Sequence, residues 1–457
     1  MRLNALRLQN YRCFDDLTVD FHPELTVLIA PNGEGKTTLL DAARVALWPF
    51  VKGFDLGSQT GKSASIHPLD VRLVKQVRGN MEPQLPSHIR VTGVWAPGRA
   101  ASNWVQVRES IRASTKTVGD AHTKALTAYA EQLQQQVREG GTPVTLPLIS
   151  YLGTSRLWFE GRFTSHAENT TLDTNEYSRT SGYLNCLASA SSFKAFTAWY
   201  VWVCRAHLAS QIDAFQRGTP MDETGRRFEQ TVTVIKTAVD ALVKEATGWH
   251  SLEYSEPQNQ QLVMQHPQHG FMPVDMLSDG LRNAIAMVAD LAFRAFKLNP
   301  HLGLRAALET PGVALIDEVD MFLHPSWQQS ILASLRTAFP KVQFIVSTHS
   351  PQVLTTVASE SVRILRGGRV YAAPAGTEGA EPGRLLTTAL GLQSVRPPRN
   401  EATRELLEYL DMVSRDEWDS PVAVELRARL DARYQGNEPA LLEADLLIEN
   451  RRWELGQ

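Results

Sequence analysis

The chain has 457 residues, 43% of them hydrophobic and 21% charged, ordinary proportions that exclude wholesale disorder and a fibrous architecture. Its formal net charge is -3, so no global positive field draws it onto nucleic acid, and any DNA contact needs a local patch or a partner. No apolar run approaches the ~20 residues of a membrane helix and the N-terminus has no signal-peptide core, so a cytoplasmic protein without membrane contact is expected.

Leu6 and Leu8, then Leu17, Val19 and Phe21, alternate as half-buried strands do, and Leu25 to Ala30 reads as a fully buried strand. Cys13, Cys186 and Cys204 have no C-x-x-C spacing, which suits structural thiols in a reducing compartment. The segment LIAPNGEGKTTLLDA at 28–42 follows, with Leu39, Leu40, Ala43 and Leu47 at helical spacing and Pro49 expected to end the helix. Residues 51–65 read as a loop, HIRVTGVWA and WVQVRESI as strands, Leu126 to Val137 as a helix closed by Gly140, and LPLISYLG as a buried strand. A helical stretch over 184–248 carries a short heptad-like seam at Phe228, Val232, Ile235, Val239 and Leu242, too short for a long coiled-coil arm.

Three brief strands are expected near 252–254, 262–264 and 271–274, then a helix over 281–296, a buried strand at 313–316, a helix over 326–338 and a buried strand at 343–348. Alternating strands and helices imply a largely parallel sheet. Two or three short helices close the chain between 401 and 453. The expected organisation is an N-terminal lobe (1–120), a mainly helical insertion (121–250), a C-terminal lobe (251–375) and a C-terminal helical region (376–457).

The loop Pro31, Asn32, Gly33, Glu34 and Gly35 leads from a buried strand into a helix, where exposed backbone N–H groups and the helix's positive end make a nest for phosphate oxygens. Lys36 would reach the β and γ phosphates and the Thr37 hydroxyl would ligate Mg2+, with Thr38 as a second hydroxyl. The full P-loop pattern wants glycine at 30, where this chain has alanine. A bare G-K-[ST] arises by chance in roughly one chain of this size in five, so context decides. GVALIDEVD supplies that context. It brings Asp317, a ligand for Mg2+, and Glu318, which would orient or activate water, to a strand's carboxyl end. QFIVST likewise ends at His349, which could sense the γ-phosphate. Read alone, each of these is also an ordinary strand end. His266 and His269 in HPQHG read as a hairpin turn before a metal pair.

PNGEGKTTLLDA, MLSDGLRNAIAMVADLA, GVALIDEVDMFLHPSWQ and FIVSTHSPQVL, in that order, resemble the ABC-type ATPases of the SMC, RecF and OLD (overcoming lysogenization defect) group. The resemblance implies an α/β head with a mixed central sheet, a helical insertion and a small C-terminal helical region, binding and hydrolysing ATP with Mg2+. It implies that Ser278 and Gly280 of LSDGLR contact the γ-phosphate of ATP on a second subunit, with Asp279 where the family more often has glycine. A head-to-tail homodimer or higher homo-oligomer follows, with Asp320 and His324 facing the partner subunit. Arg12 falls where relatives place a basic residue near the nucleotide, and Gln76 and Gln106 both stand open as the magnesium-associated glutamine.

More narrowly, PLISYLGTSRLW, RTSGYLNCL and GNEPALLEADLLI resemble the ATPase subunits of Septu and retron-associated anti-phage systems. That resemblance implies a separate HNH endonuclease partner, controlled through nucleotide state, with DNA met through the complex. Two other functions share the motifs: a RecF-type repair ATPase, which needs a basic face, and a transporter's nucleotide-binding subunit, which the roughly 240 residues between P-loop and signature disfavour. A nucleotide-gated scaffold with slow turnover is a further reading.

Overall fold

Apolar runs far apart in the chain lie side by side in the computed structural model. It describes the chain except for residues 59–63, 77–78, 158–177, 189–192, 258–259 and 455–457. Residues 59–63 of the loop expected over 51–65, residues 189–192 of the helical stretch expected over 184–248, and Trp158 of PLISYLGTSRLW therefore lie outside the described residues; the expected loop contains the short helix Asp55–Ser58, and the described helix of the helical stretch starts at Phe193.

In chain order come β1 (Arg2–Tyr11), β2 (Phe14–Asp20), β3 (Leu25–Ile29), α1 (Lys36–Val51), α2 (Asp55–Ser58), β4 (Leu73–Lys75), β5 (Met81–Pro83), β6 (Ser87–Val94), β7 (Ser102–Arg108) and β8 (Val118–Gly119). Helix α3 (Ala121–Glu139), β9 (Leu148–Leu152), α4 (Phe193–Arg217), α5 (Glu223–Thr247), β10 (His250–Ser255), β11 (Gln261–His266), β12 (Gly270–Pro273) and α6 (Asp279–Leu298) follow. Then come α7 (Ala306–Glu309), β13 (Gly312–Ile316), α8 (Pro325–Gln328), α9 (Ile331–Ala338), β14 (Val342–Ser347), α10 (Pro351–Leu354), β15 (Val362–Arg366), β16 (Arg369–Ala372) and α11 (Pro382–Thr388).

The central sheet has the order β16-β15-β3-β14-β13-β9. Its pairs are parallel except for the β15–β16 hairpin. Alternate residues of each strand feed opposite cores, as a sheet covered on both faces requires. Val27, Ile29, Ala314, Ile316, Phe344 and Val346 join the core made with α4, α5 and α6. Leu28, Val313, Leu315 and Ile345 join the core made with α1 and the antiparallel sheet β2-β1-β6-β7-β8. Burying one such side chain contributes about 1.5–3 kcal/mol, so these short runs are strong determinants of the fold. Gln343 ties the sheets together: its side chain accepts from Leu3 N at 2.8 Å and donates to Leu3 O at 2.7 Å.

Pro49 does not end α1, which runs on to Val51. Proline there loses the bond from its missing N–H and crowds the carbonyl four residues back, a cost that contacts from other elements offset. The Trp104 indole donates to Ala46 O at 2.8 Å, Thr127 Oγ1 donates to Pro49 O at 2.8 Å, and Phe50 and Val51 are buried. The helix expected over 326–338 is two, α8 and α9, parted where Ser330 N turns back to Trp327 O at 3.0 Å. Strands β10, β11 and β12 form the expected three-stranded meander.

The described chain forms two compact units, Met1–Leu390 and Gly391–Gln457. The second holds α12 (Glu401–Ser414), α13 (Pro421–Tyr434) and α14 (Pro439–Glu454) around Leu406, Tyr409, Leu426, Leu430 and Leu441. Among the described residues no helix is long and apolar enough to cross a membrane.

Candidate nucleotide-binding site

Strand β3 delivers the chain to Ala30, whose methyl group lies in the core beside α1, so alanine is accommodated where the full motif has glycine. The loop then turns through two left-handed glycines, Gly33 at φ 85° and Gly35 at φ 95°. A Cβ on Gly35 would lie 2.4 Å from Phe14 Cζ and 2.9 Å from Cys13 Sγ, so the β1–β2 turn presses on the loop and admits only glycine. Helix α1 starts without a side-chain cap and without an acidic residue in its first turn. Its leading N–H groups thus form a ready anion seat. Lys36, 7% exposed, spans the loop and donates from Nζ to Ala30 O at 3.0 Å. Burial pushes its pKa down, while Asp317, Glu318 and Asp320 oppose that shift.

Strands β13 and β14 bring their carboxyl ends to the same place. Asp317, 1% exposed, donates its N–H to Leu152 O of β9 at 2.8 Å, and its carboxylate accepts from Thr37 Oγ1 at 2.8 Å and from Ser347 Oγ. Glu318 stands at φ 48°, a left-handed conformation uncommon for a residue with a Cβ. Its N–H is held by Ser347 Oγ at 2.8 Å, and Val319 N donates to Ser347 O at 3.0 Å. Thr348 Oγ1 donates to Asp320. His349 is exposed two residues beyond β14; burial first, then the charge of Lys36, lowers its pKa against the pull of the carboxylates. Lys36, Thr37, Asp317, Glu318 and His349 therefore form one constellation.

The loop residues Pro31, Asn32 and Gly33 are exposed, as is Thr37, while Thr38 is half-buried. Glu34 turns its carboxylate away, accepting from Gly367 N at 2.8 Å in the β15–β16 turn. Arg12 is held by two carboxylates, Asp70 at 2.8 Å and Asp41 at 2.7 Å, next to the turn that presses on Gly35.

Ser278 N-caps α6, its Oγ accepting from Leu281 N at 3.4 Å, and Asp279 pairs with Arg282 in the first turn. A Cβ on Gly280 would meet Phe322 O at 2.3 Å, so the loop after the acidic pair lies directly on the start of α6. Asn283 Nδ2 fixes that contact by donating to Met321 O at 2.9 Å. His324 caps α8, accepting from Ser326 N at 3.3 Å. Gln76 lies at the turn of the β4–β5 hairpin and Gln106 is buried in β7, so neither stands at the carboxyl edge of the central sheet. His266 Nδ1 accepts from the N–H groups of Gln268 and His269, capping the expected hairpin turn. Among the described residues no three His, Cys, Asp or Glu side chains converge as a metal-binding group.

Two family profiles match. "AAA domain" covers residues 5–213, which include GEGKT, and "AAA domain, putative AbiEii toxin, Type IV TA system" covers residues 251–355, which include LSDGLR and Asp317–Glu318. The Retron Ec83 probable ATPase of Escherichia coli is 25% identical over 498 residues, spanning 99% of this chain and 88% of the relative. The chain thus carries two AAA-domain matches and is similar to a retron ATPase along nearly its whole length. The Septu protein PtuA of Bacillus thuringiensis is 28% identical over 153 residues, 31% of this chain and 38% of that protein. An SMC head bound to the C-terminal winged-helix domain of ScpA aligns over 82% of the chain and 97% of its own length, at 13% identity and a TM-score of 0.46.

The oxygen donors at this site suit a magnesium nucleotide: one hydroxyl and one carboxylate, Thr37 and Asp317, already in contact, leave most positions to phosphate and water, as Mg2+ prefers. When bound, the ion would neutralise phosphate charge. Sequence reasoning missed Ser347 and Thr348, whose hydroxyls hold Asp317, the Glu318 N–H and Asp320. Their position, just before His349 at the end of a buried parallel strand, was the available signal.

The structure also gives RTSGYLNCL a physical role. Arg294 of α6, buried and paired with Asp290 at 2.8 Å, donates to Gly182 O and Leu184 O. Tyr151 N of β9 donates to Cys186 O at 2.7 Å, and Arg44 of α1 reaches Leu187 O at 3.4 Å. This segment thus bridges the signature helix, the edge strand and the P-loop helix. It leaves Cys186 buried, with its thiol pushed up to about 12 by desolvation.

Proposed function

We propose that this chain is the ATP-hydrolysing subunit of a bacterial anti-phage complex and controls an HNH nuclease partner through its nucleotide state. The observation that carries the reading is the Thr37–Asp317 contact beside the buried Lys36. Lys36 would shed its bond to Ala30 O and turn to the β and γ phosphates, which the loop and α1 amides cradle. Thr37 and Asp317 would hold Mg2+. Glu318 would orient the attacking water, and His349, biased toward the neutral imidazole, would meet the γ-phosphate as a hydrogen-bonding group. Ser278 and Asp279, exposed at the start of α6, with Gly280 behind them, would complete the site of a second copy, head to tail. Arg12, once released by Asp41 or Asp70, would offer a cation from the β1–β2 turn that presses on the loop.

The defence reading is supported by the retron ATPase matched over nearly the whole chain and by the Septu relative. The experiment places Lys36→Ala and Glu318→Gln in cells that carry the complete gene set and counts phage plaques. Loss of protection by both is expected, and unaltered protection by both overturns the reading. Salt-dependent DNA binding by the purified chain alone would select a RecF-type repair role instead.

A further inference from the structure

The segment GNEPALLEADLLI is only half used by the fold of its own unit. Glu438 forms a two-pronged pair with Arg396 at 2.7 and 3.0 Å, and Asp445 pairs with Arg427. Leu441 and Ala444 are buried against α12 and α13, with Ile448 packed at their edge. At 100° per residue these three share one face of α14. Leu442, Leu446 and Trp453 fall on the opposite face within about 40° of one another, and they are 54%, 60% and 85% exposed. A helix with a second apolar stripe opposite its core face is ordinarily covered on both sides.

The charges select what covers it. Glu449 flanks the stripe on one side and Glu443 on the other, and among the described residues neither forms an ion pair. The whole unit Gly391–Gln457 carries fourteen Asp and Glu against nine Arg, with no lysine, so it holds more negative charge than the entire chain does net. Two copies of so acidic a unit repel each other, whereas a cationic partner is attracted.

We infer that the outer face of α14 is a docking surface for a basic amphipathic helix of a partner protein. Leu442, Leu446 and Trp453 take its apolar anchors at helical spacing, and Glu443 and Glu449 pair with lysines or arginines beside them. This surface lies in a different unit from the nucleotide site and stands independently of what that site does.

The test uses the full chain and three fluorescein-labelled three-heptad peptides: an amphipathic Leu/Lys helix, a scramble of the same composition, and the same amphipathic pattern with Glu in place of Lys. Fluorescence anisotropy should show binding of the first alone. Leu442→Glu with Leu446→Glu should weaken it by about tenfold or more, with the circular dichroism and ATP turnover of the chain unchanged. Glu443→Lys with Glu449→Lys should transfer binding to the Glu-bearing peptide. Equal binding of the scrambled peptide, or indifference to the charge reversal, overturns the inference. So does concentration-dependent self-association of the chain that Leu446→Glu abolishes, because the stripe would then belong to a second copy.

Discussion

The Thr37 hydroxyl donates to the Asp317 carboxylate at 2.8 Å, joining residues 280 positions apart. Two strands that pair only through β14 bring them together, so the contact reports that the sheet itself assembles the metal-ready edge. Thr37→Ala should lower affinity for a fluorescent ATP analogue by about tenfold with Mg2+ present and leave the weak metal-free binding unchanged. Each hydrogen bond to a charged group is worth about 1.5–3 kcal/mol. Equal losses with and without the ion would contradict the assignment.

Gly35 and Gly33 share a left-handed backbone but differ in surroundings. A Cβ at Gly35 meets Phe14 and Cys13, whereas one at Gly33 meets nothing within 4 Å. Gly35→Ala should therefore abolish nucleotide binding and destabilise the chain, with backbone strain alone costing about 1–3 kcal/mol before the clash is added. Gly33→Ala should show the strain without the clash. Thermal unfolding and ATP-analogue titration of the two variants separate these effects.

Burial and the charge of Lys36 lower the pKa of His349. The imidazole is therefore neutral at pH 7 and stays so as pH falls past the ordinary value of about 6.5. Turnover that depends on neutral His349 should hold through that pH and fall only at lower pH. His349→Gln should lower turnover at pH 7 and remove the acid limb from the pH profile. The linkage has the same sign for stability: the unfolded chain takes the proton more readily, so folding weakens as pH drops. His349 is exposed, so that second effect is small.

Arg294 is fully enclosed and serves Asp290, Gly182 O and Leu184 O at once. Arg294→Met removes the buried ion-pair partner of Asp290, a loss of about 3–5 kcal/mol. Changing Asp290→Asn as well should recover part of that loss in chemical denaturation. A double variant less stable than the single would contradict the account.

The sequence was most legible where burial is one-dimensional. Leu25–Ile29, Gly312–Ile316 and Val342–Ser347 are mostly apolar runs buried along their whole length because both faces of the central sheet are covered, and the segments that follow them marked Lys36, Asp317 and His349. Pro49 misled because its cost depends on position within the helix and on Trp104 and Thr127, which lie in other elements. The roles of RTSGYLNCL and of the Gly280–Phe322 contact were invisible for the same reason. Each depends on a neighbour supplied by a distant segment, which no local pattern names. Ser347 and Thr348 were legible in principle but were outweighed by the histidine that follows them.

The central claim is that the P-loop and acidic pair of this chain hydrolyse ATP. Release of inorganic phosphate from ATP and Mg2+ by purified wild-type and Glu318→Gln chains tests it most directly. The account predicts release by the wild type and a loss of about 10²- to 10⁴-fold in the variant, with ATP still retained on the protein. Equal release by the two chains, or a variant that fails to hold ATP while still folded, would contradict it.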